Sequence, residues 1–443
     1  MKQKIMKVAV VGFGHIGSVI GTVLAKNGCK VIGVDKSPDL IRGFLNGRPP
    51  ISEPLLESLV CEALRDGTLT LTESLSDVSE SEVIIITVGT PLDKNYKADL
   101  SALKECCAEL AEHTRDNQLI IIKSTVPPGT TRNVVANIFS KAGNLDVAFC
   151  PERLAEGAAI REFQTLPIIV GGVSKNATQK AREFWKKSLD VEVICVENAE
   201  TAEMVKLANN AWIDLNIGLA NELAKLSDSL PFNIDILETI EAANTLKKGS
   251  SSVNILLPSS GVGGYCLTKD PWFLYSLGKE NGLELNTIRS GREANDTMPE
   301  YASQRIVDFA NSSNLKASEM KVAVLGFSFK SNSGDIRQTP VIPFLSRLKS
   351  KGIPRISIFD PLVKPDDAKK LTIKLDESFE ETVKEANCVA FMAAHDEFKK
   401  YTLDSVSEMV KPGCLIFDGR RYFSRDEIEK IKNAGLFYMG IGR

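Results

Sequence analysis

The chain has 443 residues, enough for two or three domains with sizeable cores, and a formal net charge of −3. So even a balance indicates neither a nucleic-acid-binding surface nor an acidic tail. Nine cysteines are scattered without a Cys-x-x-Cys pair, and the three histidines are His15, His113 and His395. This usage points to a reducing compartment, not a disulfide framework, and argues against a metal site. No apolar run nears the roughly 20 residues that span a bilayer, and residues 1–7 are charged and lack a secretory core. The expectation is a soluble, cytoplasmic protein without metal, nucleic-acid or membrane partners.

Residues 7–11 are apolar without alternation, the pattern of a buried parallel strand. They lead into Gly12-Phe13-Gly14-His15-Ile16-Gly17, a helix-like run over 18–27, and a second strand over 30–34 that ends at Asp35. A glycine triplet alone is weak evidence. Here it stands between strand and helix, with an acid closing the next strand, which is the context of a dinucleotide site. Gly12 makes the turn, Gly14 admits a pyrophosphate, Ile16 follows in the same loop, and Gly17 lets the helix pack closely. The helix N-terminus favours the phosphate charge. Asp35 suits a ribose 2′-hydroxyl and repels a 2′-phosphate, so the cofactor expected is NAD and not NADP.

Further strands are expected over 82–87, 118–122, 146–150 and 167–171. In a doubly wound sheet, ligands lie beyond the carboxyl ends of the strands. Thr90, Ser124, Thr125, Glu152 and Glu156 all fall at such ends and are expected on one rim.

From about residue 200 the pattern is helical. Glu203, Lys206 and Asn210 are spaced i, i+3 and i+4 along a mostly apolar helix expected over 201–226, so they lie on one face. Trp212, Ile213, Leu215, Ile217 and Leu219 make that helix apolar nearly all round, which predicts burial against a second copy of the chain. A Gly/Ser-rich segment then reaches the loop Gly261-Val262-Gly263-Gly264-Tyr265-Cys266-Leu267-Thr268-Lys269-Asp270. Its glycines allow close approach of a ligand, and a thiol beside Lys269 and Asp270 is placed to ionise and attack carbon. Helices follow over 289–310. After a linker at 311–314, a second α/β pattern begins at 321, with strands over 355–360, 388–393 and 414–418 but no full glycine fingerprint. The architecture expected is α/β: two Rossmann-like doubly wound domains, 1–200 for NAD and 315–443 for a second nucleotide, bridged by a helical central and dimerisation domain over 201–310 that carries Cys266.

Taken together, these segments resemble the nucleotide-sugar 6-dehydrogenases. The resemblance runs over nearly the whole chain: Gly12 to Gly17, Lys123-Ser124-Thr125-Val126-Pro127, Pro151-Glu152-Arg153-Leu154-Ala155-Glu156-Gly157, Lys206 with Asn210, Gly263-Gly264-Tyr265-Cys266 through Asp270, and Lys330 through Arg337. It implies oxidation of a sugar C6 alcohol to a carboxylate with two NAD, through a Cys266 thiohemiacetal and then a thioester. It also implies Lys206, assisted by Asn210, at developing oxyanions, Asp270 and Glu152 as general bases, and Thr125 placing the hydrolytic water. Thr90, Thr125, Glu156, Lys269 and Arg337 match cofactor contacts; Glu152, Lys206, Asn210, Gly263 and Arg420 match substrate contacts. Gly291-Arg292-Glu293-Ala294-Asn295-Asp296-Thr297-Met298-Pro299 resembles the branch acting on UDP-N-acetylmannosamine or UDP-N-acetylglucosamine. Two positions depart from that branch. Tyr265 stands where it has histidine, and Leu246-Lys247-Lys248-Gly249-Ser250-Ser251-Ser252 lacks its arginine, with Lys247 or Lys248 as replacement charges. The substrate expected is a UDP-N-acetylhexosamine. A UDP-glucose 6-dehydrogenase is the alternative, and a two-electron NAD-dependent hydroxyacid-type dehydrogenase is the reading from a different class.

Overall fold

The computed structural model describes residues 5–47, 49, 53–249 and 251–443. Two compact units emerge: Met1–Asn209 with Trp272–Leu283, and Asn210–Pro271 with Glu284–Arg443. Neither is one continuous stretch of chain.

Among the described residues of the first unit, eight strands form one sheet: β1 (Lys7–Val11), β2 (Lys30–Val34), β3 (Leu69–Thr72), β4 (Val83–Ile86), β5 (Leu119–Ile122), β6 (Asp146–Phe149), β7 (Ile168–Gly172) and β8 (Val193–Cys195). Their order is β3-β2-β1-β4-β5-β6-β7-β8. The central strands β4 and β5 read Val-Ile-Ile-Ile and Leu-Ile-Ile-Ile and are buried at every residue, as strands covered on both faces must be. Strands β1 to β6 pair in parallel, so the segments after β4, β5 and β6 share a rim. Strand β7 departs from the expected doubly wound run by pairing antiparallel with β6. Its Gly171 has a packing reason: a Cβ there would stand 2.1 Å from the Asn198 carbonyl, immediately before helix Ala199–Ser229. Strands β3 and β8, absent from the sequence reading, are partly exposed edges.

The second unit contains a hairpin of β9 (Lys247–Lys248) with β10 (Ser251–Ser252), in which all four residues are exposed. Ser250 lies outside the described residues. A second sheet comprises β11 (Lys321–Leu325), β12 (Arg355–Phe359), β13 (Cys388–Phe391), β14 (Leu415–Asp418) and β15 (Phe437–Gly440), all parallel, in the order β12-β11-β13-β14-β15. Helix Met298–Ser312 buries Met298, Ala302, Ile306 and Phe309 in the core of this unit beside Val322, Val324 and Phe344. The expected Cys266 loop is shorter than the sequence suggested. From Tyr265 onward it is already helix (Tyr265–Glu280), with Cys266 in the first turn and Pro271 inside. Among the described residues, no helix is long and apolar enough to cross a membrane.

Candidate active site

The glycine loop after β1 has the backbone a dinucleotide requires. Gly12 sits at φ +88°. A Cβ on Gly17 would lie 2.1 Å from the Gly12 carbonyl, so only glycine lets helix His15–Lys26 start there. Gly14 faces open space, with nothing within 4 Å of where its Cβ would be. That helix has no side-chain cap and no acid in its first turn, which leaves its N–H groups for an anion. Ile16 packs against the core, and Asp35 follows β2, its carboxylate accepting from Ser37 N at 3.0 Å. Open space, free donors and a strand-end acid fit the pyrophosphate and ribose of NAD.

An acid the sequence reading missed braces this loop. Glu53 is buried and accepts from the Gly157 and Ala159 N–H groups, each at 2.8 Å. His15 Nε2 stands 3.4 Å from Glu53 Oε2, and His15 Nδ1 stands 3.8 Å from Glu156 Oε1. Burial pushes the Glu53 pKa up, but the nearby His15 ring and the hydrogen bonds from Gly157 and Ala159 outweigh it and hold the acid below its ordinary value. Glu53 thereby ties the segment behind β6 to the dinucleotide loop. Thirty-eight residues separate Glu53 from His15, and no motif marks it.

On the rim, the Thr90 hydroxyl donates to the Thr125 carbonyl at 2.5 Å, joining the segments behind β4 and β5. Ser124 is buried and its hydroxyl has no hydrogen-bond partner. Glu152, behind β6, is buried; one carboxylate oxygen accepts from the Leu154 N–H and the other from Lys206 Nζ at 3.1 Å. Lys123 lies close by, buried under the Phe163 and Trp185 rings at 5.6 and 5.1 Å. Burial lowers its pKa, and the charges of Cys150, Glu152 and Lys206 act on it. Glu203, one turn before Lys206 on helix Ala199–Ser229, accepts from Gly129 N at 2.6 Å and Thr131 N at 2.7 Å. It therefore fixes the loop behind β5 instead of facing open space. Burial drives its pKa to about 7, against the lowering effect of those two hydrogen bonds.

In the second unit, the Asn210 amide donates to Asp270 Oδ2 at 2.5 Å, and Lys269 Nζ lies 2.5 Å from Asp270 Oδ1. Asp270 is fully buried, whereas Cys266, one turn earlier on the same helix, is exposed. A thiol in the first turn of a helix has the local dipole favouring its thiolate. Gly263 lies where a Cβ would stand 2.4 Å from Phe329 Cβ, and Gly264 adopts φ +80° while its N–H donates to the Arg337 carbonyl at 3.0 Å. Arg337 is half exposed, paired with Asp335 at 2.5 Å and lying 5.4 Å from the Tyr265 ring centroid. Arg420 directs its guanidinium at main chain, donating to the carbonyls of Met392 at 2.8 Å and Phe329 at 3.3 Å. Arg292, read in sequence only as a branch marker, is fully buried against Asp214.

Comparison with known proteins identifies the family. Three domain profiles of the UDP-glucose/GDP-mannose dehydrogenase family match in order: the NAD binding domain over 6–189, the central domain over 200–297 and the UDP binding domain over 323–425. A UDP-N-acetyl-D-mannosamine dehydrogenase of Methanococcus vannielii is 34% identical, covering 93% of this chain and 91% of that protein. The solved UDP-D-ManNAc dehydrogenase of Pyrococcus horikoshii has a TM-score of 0.88 at 32% identity, covering 99% of both chains. A UDP-glucose dehydrogenase of Pyrobaculum islandicum has a TM-score of 0.87 at 26% identity, covering 100% of this chain and 98% of that one. The chain belongs to the UDP-glucose/GDP-mannose dehydrogenase family and is an NAD-dependent oxidoreductase acting on a nucleotide sugar.

Proposed function

We propose that the chain oxidises the C6 alcohol of a UDP-N-acetylhexosamine, UDP-N-acetyl-D-mannosamine first among them, to the corresponding uronate. The observation that carries the reading is Cys266, exposed in the first turn of its helix with the buried Asp270–Asn210–Lys269 cluster one turn on. The names of the relatives in Methanococcus vannielii and Pyrococcus horikoshii support the N-acetylated sugar.

Two NAD, bound in turn at the Gly12–Gly17 loop, would each supply the acceptor for one hydride. The residues supply the rest. Cys266 adds through sulfur to the C6 aldehyde, and the resulting thiohemiacetal oxygen takes the proton. A covalent adduct keeps the aldehyde from escaping between the two oxidations. Asp270, held by Asn210 and Lys269, is the base for protons near Cys266. Lys206 presents a positive charge to developing oxyanions. Glu152, with one oxygen on Lys206, deprotonates the water that Thr125 places, and that water releases the thioester as carboxylate and free thiol. Thr90, Glu156 and Arg337 serve the cofactor, and Gly263 gives the nucleotide sugar room. Arg420, committed to two carbonyls, shapes the loop at Phe329 that would receive the nucleotide. The division of labour is an NAD domain over 1–200, a central domain over 201–310 and a nucleotide-sugar domain over 315–443, in a cytoplasmic homodimer. The dimer reading is supported by Trp212, Leu219 and Leu226, exposed at seven-residue intervals along helix Ala199–Ser229.

The test is a screen of UDP-N-acetyl-D-mannosamine, UDP-N-acetyl-D-glucosamine, UDP-glucose and GDP-mannose for NADH formed per sugar. Two NADH from an N-acetylated UDP-hexosamine are expected; one per sugar assigns the chain to the two-electron class, and preference for UDP-glucose removes the N-acetyl reading. Glu152→Gln should accumulate an enzyme–sugar ester visible by intact-protein mass spectrometry. A bare polypeptide mass alongside a two-NADH burst excludes the covalent step.

A further inference from the structure

Pro271 leaves a gap in the helix that carries the nucleophile. In an α-helix the carbonyl of Leu267 accepts from the N–H of residue 271. Proline has no N–H, and its ring crowds that same carbonyl. Leu267 follows Cys266 directly, and its carbonyl belongs to the turn joining Cys266 to Asp270. The missing donor is replaced from another helix, Asn286–Asp296: Arg292 Nη1 donates to the Leu267 carbonyl at 3.0 Å.

Arg292 is fully buried and held from behind by a polar chain. Its Nη1 lies 2.5 Å from Asp214 Oδ1, and the Asn295 amide donates to the Asp214 carbonyl at 2.8 Å and to its carboxylate at 2.7 Å. The Asn221 amide donates to Asn295 Oδ1 at 2.8 Å, while Asn221 Oδ1 accepts from Ser259 N at 2.8 Å. Ser259 opens the glycine loop and its hydroxyl donates to the Gly261 carbonyl at 3.0 Å. One buried network therefore grips the segment before Cys266 at Ser259 and the turn after it at Leu267. Only Nη1 of the guanidinium is hydrogen-bonded, to the Asp214 carboxylate and to the backbone beside the thiol; Nε and Nη2 have no hydrogen-bond partner, and Nη2 lies 3.1 Å from the Asp296 carboxylate.

We propose that Arg292 is a positioning residue for the reaction: it substitutes for the N–H that Pro271 lacks and so sets the direction of Cys266. The proposal rests on Cys266 being the nucleophile. Arg292→Lys keeps the charge opposite Asp214, but its side chain is too short to reach the Leu267 carbonyl as well. Pro271→Ala returns an N–H to that carbonyl. Four enzymes are compared: wild type, Arg292→Lys, Pro271→Ala and the double variant. The readouts are kcat, KM and the pH profile of Cys266 alkylation by iodoacetamide, followed by peptide mapping. Arg292→Lys should lower kcat by about 10- to 100-fold with KM within about threefold, since misplacement by an ångström carries that penalty. Its alkylation profile should move to higher pH. The double variant should recover most of kcat and the wild-type profile, which a general loss of packing would not allow. Wild-type kcat and profile in folded Arg292→Lys, or no recovery in the double variant, overturn the proposal. If Arg292→Lys does not fold, Asn295→Ser loosens Asp214 without changing charge and carries the same expectation and the same refutation. Cys266→Ala with undiminished uronate formation would sink the nucleophile assignment itself, whereas the alkylation profile reports on Arg292 without turnover.

Discussion

The two sheets begin with the same turn and put it to different use. After β1, Gly12 adopts φ +88° and its N–H donates to the Val34 carbonyl at 2.8 Å; after β11, Gly326 adopts φ +89° and donates to the Phe359 carbonyl at 2.9 Å. Each second strand then ends in an aspartate. Asp35 binds its own neighbour, Ser37 N, and stays out of the glycine loop, where the Phe13 N–H joins that of Gly12 on the Val34 carbonyl at 3.1 Å. Asp360 turns its carboxylate into the corresponding loop: Oδ2 accepts from Phe327 N at 2.7 Å and Ser328 N at 2.9 Å, with His395 Nε2 at 3.1 Å, and Oδ1 accepts from Leu362 N at 2.9 Å. The second sheet has filled its anion site with its own side chain. Two topologically similar openings thus differ in the direction of one carboxylate: Asp35 bonds outside its glycine loop and Asp360 bonds within the corresponding one.

The sharpest way to break this comparison is at the glycines. Gly17→Ala puts a methyl 2.1 Å from the Gly12 carbonyl, so NAD affinity should fall by about 100-fold or more in titration calorimetry. Gly326→Ala meets Ala393 N at 2.5 Å and should lower the melting temperature, yet leave NAD affinity within about threefold. NAD affinity lost equally in both would mean that the second loop also serves the cofactor.

The aspartates come next. Asp360→Asn sets an amide N–H₂ against backbone donors and should cost roughly 2–4 kcal/mol in denaturant unfolding, without altering cofactor choice. Asp35→Ala should leave stability within about 0.5 kcal/mol while shifting the NAD:NADP ratio of kcat/KM towards NADP by about tenfold. Equal wild-type kcat/KM for the two cofactors would remove Asp35 from that role.

The smallest effect is in pH dependence, where the two loop-fixing acids have opposite signs. Burial pushes Asp360 up, but the His395 and backbone hydrogen bonds outweigh it and hold the acid below its ordinary 3.8. Its contribution is present above that value and is lost as pH falls through the lower folded pKa. Glu203 is raised from 4.5 to about 7, so the unfolded chain ionises first and stability declines as pH rises between those values. The slope is at most about 1.4 kcal/mol per pH unit. Glu203→Gln should flatten unfolding free energy over that window, and Asp360→Asn should not; an unchanged slope in Glu203→Gln would show that the acid is ionised throughout.

What could be read in advance follows from where the information lies. The Gly12–Gly17 loop, Asp35 and the buried strands β1, β4 and β5 are specified by local chemistry: strict glycine positions and unbroken apolar runs. Strand β3 alternates as Leu-Thr-Leu-Thr and β8 has three residues, so neither stands out from loop, and the reversal of β7 depends on pairing, which no single strand encodes. Cys266 was expected on a loop because glycines precede it and Pro271 follows. The segment is helical nonetheless, and the Leu267 carbonyl that the proline leaves bare accepts from Arg292 Nη1. Glu53 and Asp360 escaped notice for a common reason. Each accepts from backbone N–H groups, which every sequence has and none advertises, and has beside it a histidine distant in sequence.

The broken continuity of the first unit has a consequence for how the chain is made. Its sheet is complete by β8, yet Trp272 packs on Tyr96 with ring centroids 4.6 Å apart, the Ser276 hydroxyl donates to the Tyr96 carbonyl at 2.6 Å, and Lys97 pairs with Glu280 at 2.5 Å. During synthesis the nascent sheet must therefore wait, with the surface around Tyr96 uncovered, while the ribosome delivers the long helix and the cysteine segment. A fragment ending at residue 209 would hold the sheet without this cover, so the two units are better regarded as interleaved in time than as beads folded one after the other.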